Sequence, residues 1–82
     1  MPGRVTLITR IGCHLCDEAR AVISEVCGSV GVGWDAVDVD QDPRLAQRYT
    51  DHVPVVLVDG VVHSYWFVDA DQLLSRLQTS AS

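Results

Sequence analysis

Between residues 5 and 16 the hydrophobic period of the chain changes. Val5-Thr6-Leu7-Ile8-Thr9 is β-branched and apolar, the composition of a largely buried strand. After Arg10-Ile11-Gly12 the apolar residues Leu15, Ala19, Val22, Ile23 and Val26 recur on one stripe at a 3.6-residue period, which predicts an amphipathic helix. Asp17, Glu18, Ser24 and Glu25 fall outside the stripe and are expected in water. Cys13 and Cys16 lie on the junction between the two patterns. Three apart at a helix start, their Cα atoms are expected within the roughly 4.4–6.8 Å at which a disulfide closes. Unpaired backbone N–H groups and the positive end of the helix dipole favour a thiolate at the first of them. A Cys-x-x-Cys so placed predicts a first sulfur that ionises below the free value of about 8.5. The stretch reads as a redox couple.

The same pair is also half of a zinc site, which usually needs four ligands and often two such pairs. The other candidate ligands, Cys27, His14, His52 and His63, form no second pair at metal-ligand spacing. A metal module (zinc or iron–sulfur) that borrows ligands from a second subunit stays open as an alternative, as do inert thiols. With 82 residues, the chain is expected to be one domain, 1–82, with a core from about 4 to 77. Hydrophobic residues at 48% and charged ones at 21% suit a globular protein that folds without disulfide staples. Three cysteines do not make a secreted disulfide framework. The start, Met1-Pro2-Gly3-Arg4, carries no long apolar stretch with a cleavage site, and no apolar run approaches a membrane span. A cytoplasmic, thiol-reducing setting is expected, with no membrane partner. The net charge of −5 argues against nucleic acid, which needs a basic face to neutralise phosphates.

Further along, Gly28 is expected to close the first helix in the left-handed conformation. Cys27, at the edge of the stripe, reads as a half-buried small hydrophobe or as a regulatory or dimer-forming thiol. Val30 to Val39 alternates imperfectly and predicts a second strand ending near Val39, which makes a parallel βαβ unit. Asp42-Pro43 opens a short helix, Asp42 as cap and Pro43 at its first position. Leu45 and Tyr49 point inward from it, and Arg44 and Arg48 form a displaced row one turn apart. Residues 50–54 read as a loop into Val55-Val56-Leu57-Val58. Asp59-Gly60 signals a type I′ hairpin into Val61-Val62-His63-Ser64-Tyr65. Asp69-Ala70-Asp71-Gln72 reads as a helix cap, with Val68 and Leu73 as a hydrophobic staple. Leu73, Leu74 and Leu77 make the last helix amphipathic, and 78–82 is expected to fray. His52 and His63 are expected at the surface. Trp66-Phe67 is read either as a docking patch or as core.

The string is β-α-β-α-β-β-α, with Cys-x-x-Cys at the first helix start and Val53-Pro54 before the third strand. In this order the chain resembles the glutaredoxin-like proteins of the thioredoxin-like superfamily. The resemblance runs through Thr9-Arg10-Ile11-Gly12-Cys13-His14-Leu15-Cys16, Val37-Asp38-Val39-Asp40, His52-Val53-Pro54-Val55 and Asp59-Gly60. It implies an α/β fold with a four-stranded mixed sheet flanked by three helices, and a cis peptide bond before Pro54. It also implies a thiol–disulfide oxidoreductase in which Cys13 attacks a substrate disulfide and Cys16 resolves the mixed disulfide. Arg10 stands where the family carries a cation beside the nucleophile, and His14 is a candidate to tune the couple by its charge. The backbone of Val53 beside Pro54 is expected to pair with an extended substrate. Arg44, Arg48 and Asp69 are candidates to hold a small thiol ligand. No bound cofactor is expected; glutathione or another thiol is the implied co-substrate. The implied partners are a protein or small-molecule disulfide and a thiol or reductase that recharges the couple, with the chain acting as a monomer. A non-catalytic thioredoxin-like binding domain remains the other alternative.

Overall fold

The β-branched run that opens the chain becomes the inner strand on which the other elements are laid. A computed structural model describes residues 3–49 and 53–80. In chain order they form β1 (Val5–Thr9), α1 (His14–Val30), β2 (Trp34–Asp38), a 3₁₀ turn (Val39–Gln41), α2 (Pro43–Tyr49), β3 (Val55–Val58), β4 (Val61–Tyr65) and α3 (Ala70–Ser80). The strand order is β2-β1-β3-β4. β1 runs parallel to β2, and β3 is antiparallel to both β1 and β4. The expected β-α-β-α-β-β-α string and the mixed four-stranded sheet are thus present. The loop expected at Thr50, Asp51 and His52, including the surface position of His52, lies outside the described residues.

Side-chain alternation along the strands splits the core between two faces. Val5, Leu7, Val56 and Val58 meet Ala19, Ile23, Val26 and Cys27 of α1 and Leu73 and Leu77 of α3 on one face. On the other, Ile8 and Val55 pack with Val39 and Tyr49, and Leu45 and Ala46 close against them from α2. Asp42 caps α2 through its Oδ1, which accepts from the Arg44 N–H at 3.0 Å. Asp69 caps α3 in the same way, accepting from the Gln72 N–H at 3.0 Å. Val68 and Leu73 both pack into the α1–α3 core, as a staple requires. The two-residue turn between Val58 and Val61 carries positive φ at both Asp59 and Gly60, the type I′ pattern. Arg4 clamps it with two 3.1 Å bonds from its guanidinium to the Asp59 carboxylate. That guanidinium holds the Asp59 carboxyl below its usual range.

Several local expectations are corrected. Gly28 lies inside α1, and the helix ends at Gly31, whose φ is +70° and whose N–H meets the Cys27 carbonyl. Val30 packs against the core, and burying it offsets the helical penalty of Gly28, about 1 kcal/mol. Cys27 is fully buried in the α1–α3 core rather than half-buried, and burial pushes its thiol pKa up. Leu15 leaves the apolar stripe and is exposed, because in the first turn of α1 it meets neither core cluster. The second strand begins only at Trp34 and stops at Asp38, since Val30 belongs to α1 and Val39 turns into the 3₁₀ segment. Gln78 is helical, because α3 continues to Ser80.

The two glycines near the end of α1 should respond oppositely to alanine. A methyl group at 28 meets open space in a helix interior, so Gly28→Ala is expected to stabilise the protein by roughly 0.5–1 kcal/mol. Gly31→Ala forces a β-carbon into the left-handed region and is expected to destabilise by about 1–2 kcal/mol. Urea titration of both variants reads the signs directly. A loss at 28 or a gain at 31 would contradict the helix end described here.

Candidate active site

The dithiol is held by a turn and a helix start. Gly12, at φ +80°, turns the chain after β1, and the Cys13 N–H bonds the Arg10 carbonyl at 3.2 Å. Cys13 is extended and caps α1, its Sγ accepting from the Cys16 N–H at 3.1 Å. The two cysteines form a disulfide with a Cα–Cα distance of 5.1 Å. Cys16 is 2% exposed, while Cys13 keeps part of its surface in water. One sulfur is therefore presented and the other is kept behind it. At a helix N-terminus, the N–H that meets Cys13 is one of the donors α1 cannot satisfy internally.

Strand register gathers the other parts. Ile8 pairs with Val55, and Val55 with Tyr65, in one row across β1, β3 and β4. Thr9 pairs with Asp38 one step further. The dithiol loop, residues 39–41, Val53–Pro54 and residues 66–67 therefore leave the sheet at one end. The Val53–Pro54 peptide bond is cis. Pro54 is buried, and its carbonyl accepts from the Trp66 N–H at 2.7 Å. Val53 packs partly against the α2-side core.

The remaining candidates separate from the dithiol to different degrees. Arg10 forks the Asp40 carboxylate, Nε to Oδ2 at 3.0 Å and its second terminal nitrogen to Oδ1 at 3.1 Å. Its charge is therefore shared with an acid that sequence reading did not assign to the site. Asp40 became a neighbour only because parallel pairing of β1 and β2 brings their ends together. His14 is highly exposed, with Nε2 3.8 Å from the Glu18 carboxylate one turn on. Arg44 and Arg48 are exposed on α2, and the Arg48 guanidinium lies 5.9 Å from the Tyr49 ring. Asp69 is occupied as the cap of α3.

His63 is not a plain surface residue. It falls where the β3–β4 register shifts between Val56 and Leu57, the extra residue of a β-bulge. It lines a shallow groove of about 550 Å³ with Asp71, Gln72, Ser75 and Arg76, none of them part of the dithiol loop. Burial, followed by the nearby Arg76 charge, lowers the His63 pKa from its ordinary value near 6.5. The unfolded chain thus binds this proton more readily. His63 contributes stability above about pH 6.5, and that contribution is lost as pH falls from there through the folded pKa. His63→Gln is expected to flatten this part of the acid limb, as measured by urea midpoints between about pH 7 and 5. An unchanged slope would remove His63 from the account.

A Cys-x-x-Cys at the start of the first helix, beside a cis-proline strand entry on this mixed sheet, defines a thioredoxin-like protein of the glutaredoxin type. The chain belongs to the Glutaredoxin-like domain family, whose model matches residues 4–78. It is 35% identical to the Mycobacterium tuberculosis protein Rv0508 over 82 aligned positions, covering 94% of this chain and 84% of that one. It is similar to the crystal structure of XcR50 from X. campestris, with 29% identity, 92% and 96% of the two chains covered, and a TM-score of 0.74. A thioredoxin mutant from Halobacterium salinarum shares the fold, with 20% identity, 95% of this chain and 74% of that one covered, and a TM-score of 0.70.

Proposed function

We propose that this protein is a small dithiol–disulfide oxidoreductase that reduces disulfides through Cys13 and Cys16. The observation that carries the reading is the pairing of a part-exposed Cys13 sulfur, in the hydrogen bond of the Cys16 N–H, with a buried sulfur in bonding reach behind it. Starting from the dithiol, the Cys13 thiolate attacks one sulfur of the substrate disulfide. A Cys13–substrate bond forms, the substrate S–S bond breaks, and the leaving sulfur takes a proton. The Cys16 thiol then loses its proton and attacks Cys13 Sγ, closing the Cys13–Cys16 bond and releasing the second substrate thiol. Two electrons pass from the dithiol to the substrate. An external thiol, such as glutathione, or a dithiol reductase returns them.

The helix-terminal N–H favours the attacking thiolate, and the burial of Cys16 reserves it for the resolving step. Arg10, with Asp40 on it, acts as a positioning residue for the loop more than as a bare cation. Arg44 and Arg48 are the groups available to a small carboxylate-bearing thiol. Val53 offers its backbone to an extended substrate beside Pro54. The proposed setting is a reducing cytoplasm, with the chain acting as a monomer. Among the described residues, no helix is long and apolar enough to cross a membrane.

The test is mass mapping of the reduced protein after exposure to oxidised glutathione, beside Cys16→Ser. A reversible Cys13–Cys16 bond in the parent and a stable glutathione adduct on Cys13 in the variant are the expected results. If Cys13 stays reduced in both, the redox reading fails.

A further inference from the structure

Large apolar side chains are exposed unevenly over this fold. Ile11 (85%), Leu15, Tyr65, Trp66 and Phe67 (72%) are all exposed, and all belong to the sheet end that carries the dithiol. Among the described residues, the other exposed large apolar one, Val61, stands at the opposite end of β4 beside the hairpin turn. Apolar surface gathered in one place marks a binding region more often than isolated exposed residues do.

The backbone under the aromatic part is not relaxed. Trp66 has φ +65°, a region in which a bulky residue is an outlier. The Phe67 N–H bonds the Tyr65 carbonyl at 2.7 Å around it, a γ-turn centred on Trp66. The Trp66 N–H is fixed to the Pro54 carbonyl, and the Tyr65 and Trp66 rings lie 6.0 Å apart at 49°. A strained, exposed tryptophan held next to the substrate-side proline is the kind of outlier that points to function.

Charge narrows the partner. Asp17 and Glu18 are exposed in the first turns of α1, Asp38 ends β2, and Asp40 and Asp42 follow it. Arg10 is forked on Asp40, and Arg20 lies 5.8 Å over the ring of Trp34 at the opposite end of β2. The other basic residues of these segments are Arg44 and Arg48 on α2. The acids outnumber these cations, and the chain carries −5 overall. A small anionic disulfide meets repulsion here, whereas an apolar, basic segment meets complementary surface.

Resting on the dithiol reading, we infer that the disulfide acted on belongs to an extended protein segment whose cystine is flanked by apolar and basic side chains. It docks across Ile11, Leu15, Tyr65, Trp66 and Phe67. The test compares kcat/KM of the reduced protein toward three disulfides. These are a cystine peptide flanked by leucine, phenylalanine and lysine, the same peptide with glutamate for lysine, and oxidised glutathione. The basic apolar peptide is expected to react about tenfold faster than its acidic counterpart at low salt, with the gap closing as salt rises. Trp66→Gly and Phe67→Ser, made singly, are each expected to lower the peptide-to-glutathione rate ratio severalfold, and together by about tenfold or more. Val61→Ser should leave the ratio as it is. Oxidised glutathione reacting as fast as the basic peptide, or a ratio that the aromatic variants do not move, overturns the inference while leaving the dithiol chemistry intact. Failure with all three disulfides sinks the dithiol reading and this one with it.

Discussion

Cys13→Ser is expected to give a folded protein whose disulfide exchange has fallen by a factor on the order of 10³ or more, toward the uncatalysed background. Serine keeps an oxygen at the cap position, where Cys13 Sγ now accepts from the Cys16 N–H, and serine is among the preferred residues there. The helix start should therefore survive. What is lost is the nucleophile, because a neutral hydroxyl does not attack a disulfide as a thiolate does. Cys16→Ser should behave differently: the first transfer goes through and the reaction stops at the mixed disulfide, since the resolving sulfur is gone. Single-turnover consumption of a small disulfide by each reduced variant without external thiol, followed beside circular dichroism, separates the two cases. If Cys13→Ser retained activity within tenfold of the parent, the attacking sulfur would have to be assigned elsewhere.

The largest expected effect on stability is at Leu73. It is fully buried, sits in the core shared by α1 and α3, and anchors the start of α3 together with Val68. Leu73→Ala is expected to destabilise by about 2–5 kcal/mol, combining lost transfer energy with the cavity left behind. A domain of this length has roughly 4–12 kcal/mol in total, at 0.05–0.15 per residue. The variant should thus be near the limit of folding, with a large fall in the urea midpoint. Leu74 packs against the same core while only half-buried, and Leu74→Ala should cost about 1 kcal/mol. Equal losses at the two positions would mean that α3 is packed on a different face.

The aromatic segment carries consequences for both chemistry and folding. Trp66 sits in a backbone conformation that glycine adopts without steric cost, so evicting the tryptophan need not harm the fold. A residue that strains the backbone, stays half in water and shares the sheet end of the dithiol has more to offer a partner than the core. If a partner docks there as proposed, substrate choice and stability are separable at this position.

Much was determined by the chain alone. The change of period at Cys13 and Cys16 located the strand, the helix and the dithiol between them, because periodicity is a local property of side chains and backbone. Asp59-Gly60, Asp42-Pro43 and Asp69 marked their turn and caps for the same reason: each acts within four residues of itself. Where several local solutions were nearly equal, tertiary packing chose among them. Gly28 alone was expected to end the first helix, yet the helix runs on to Gly31, because Val30 packs against the core and holds the last turn in place. Leu15 matched the apolar stripe by spacing yet is exposed in the first turn of α1, outside both core clusters. Asp40 reached Arg10, His63 bulged over α3, and the aromatic residues came to the dithiol end only through strand register. Asp40 and Arg10 are 30 residues apart, a separation at which sequence pattern carries no distance information and only the assembled sheet does.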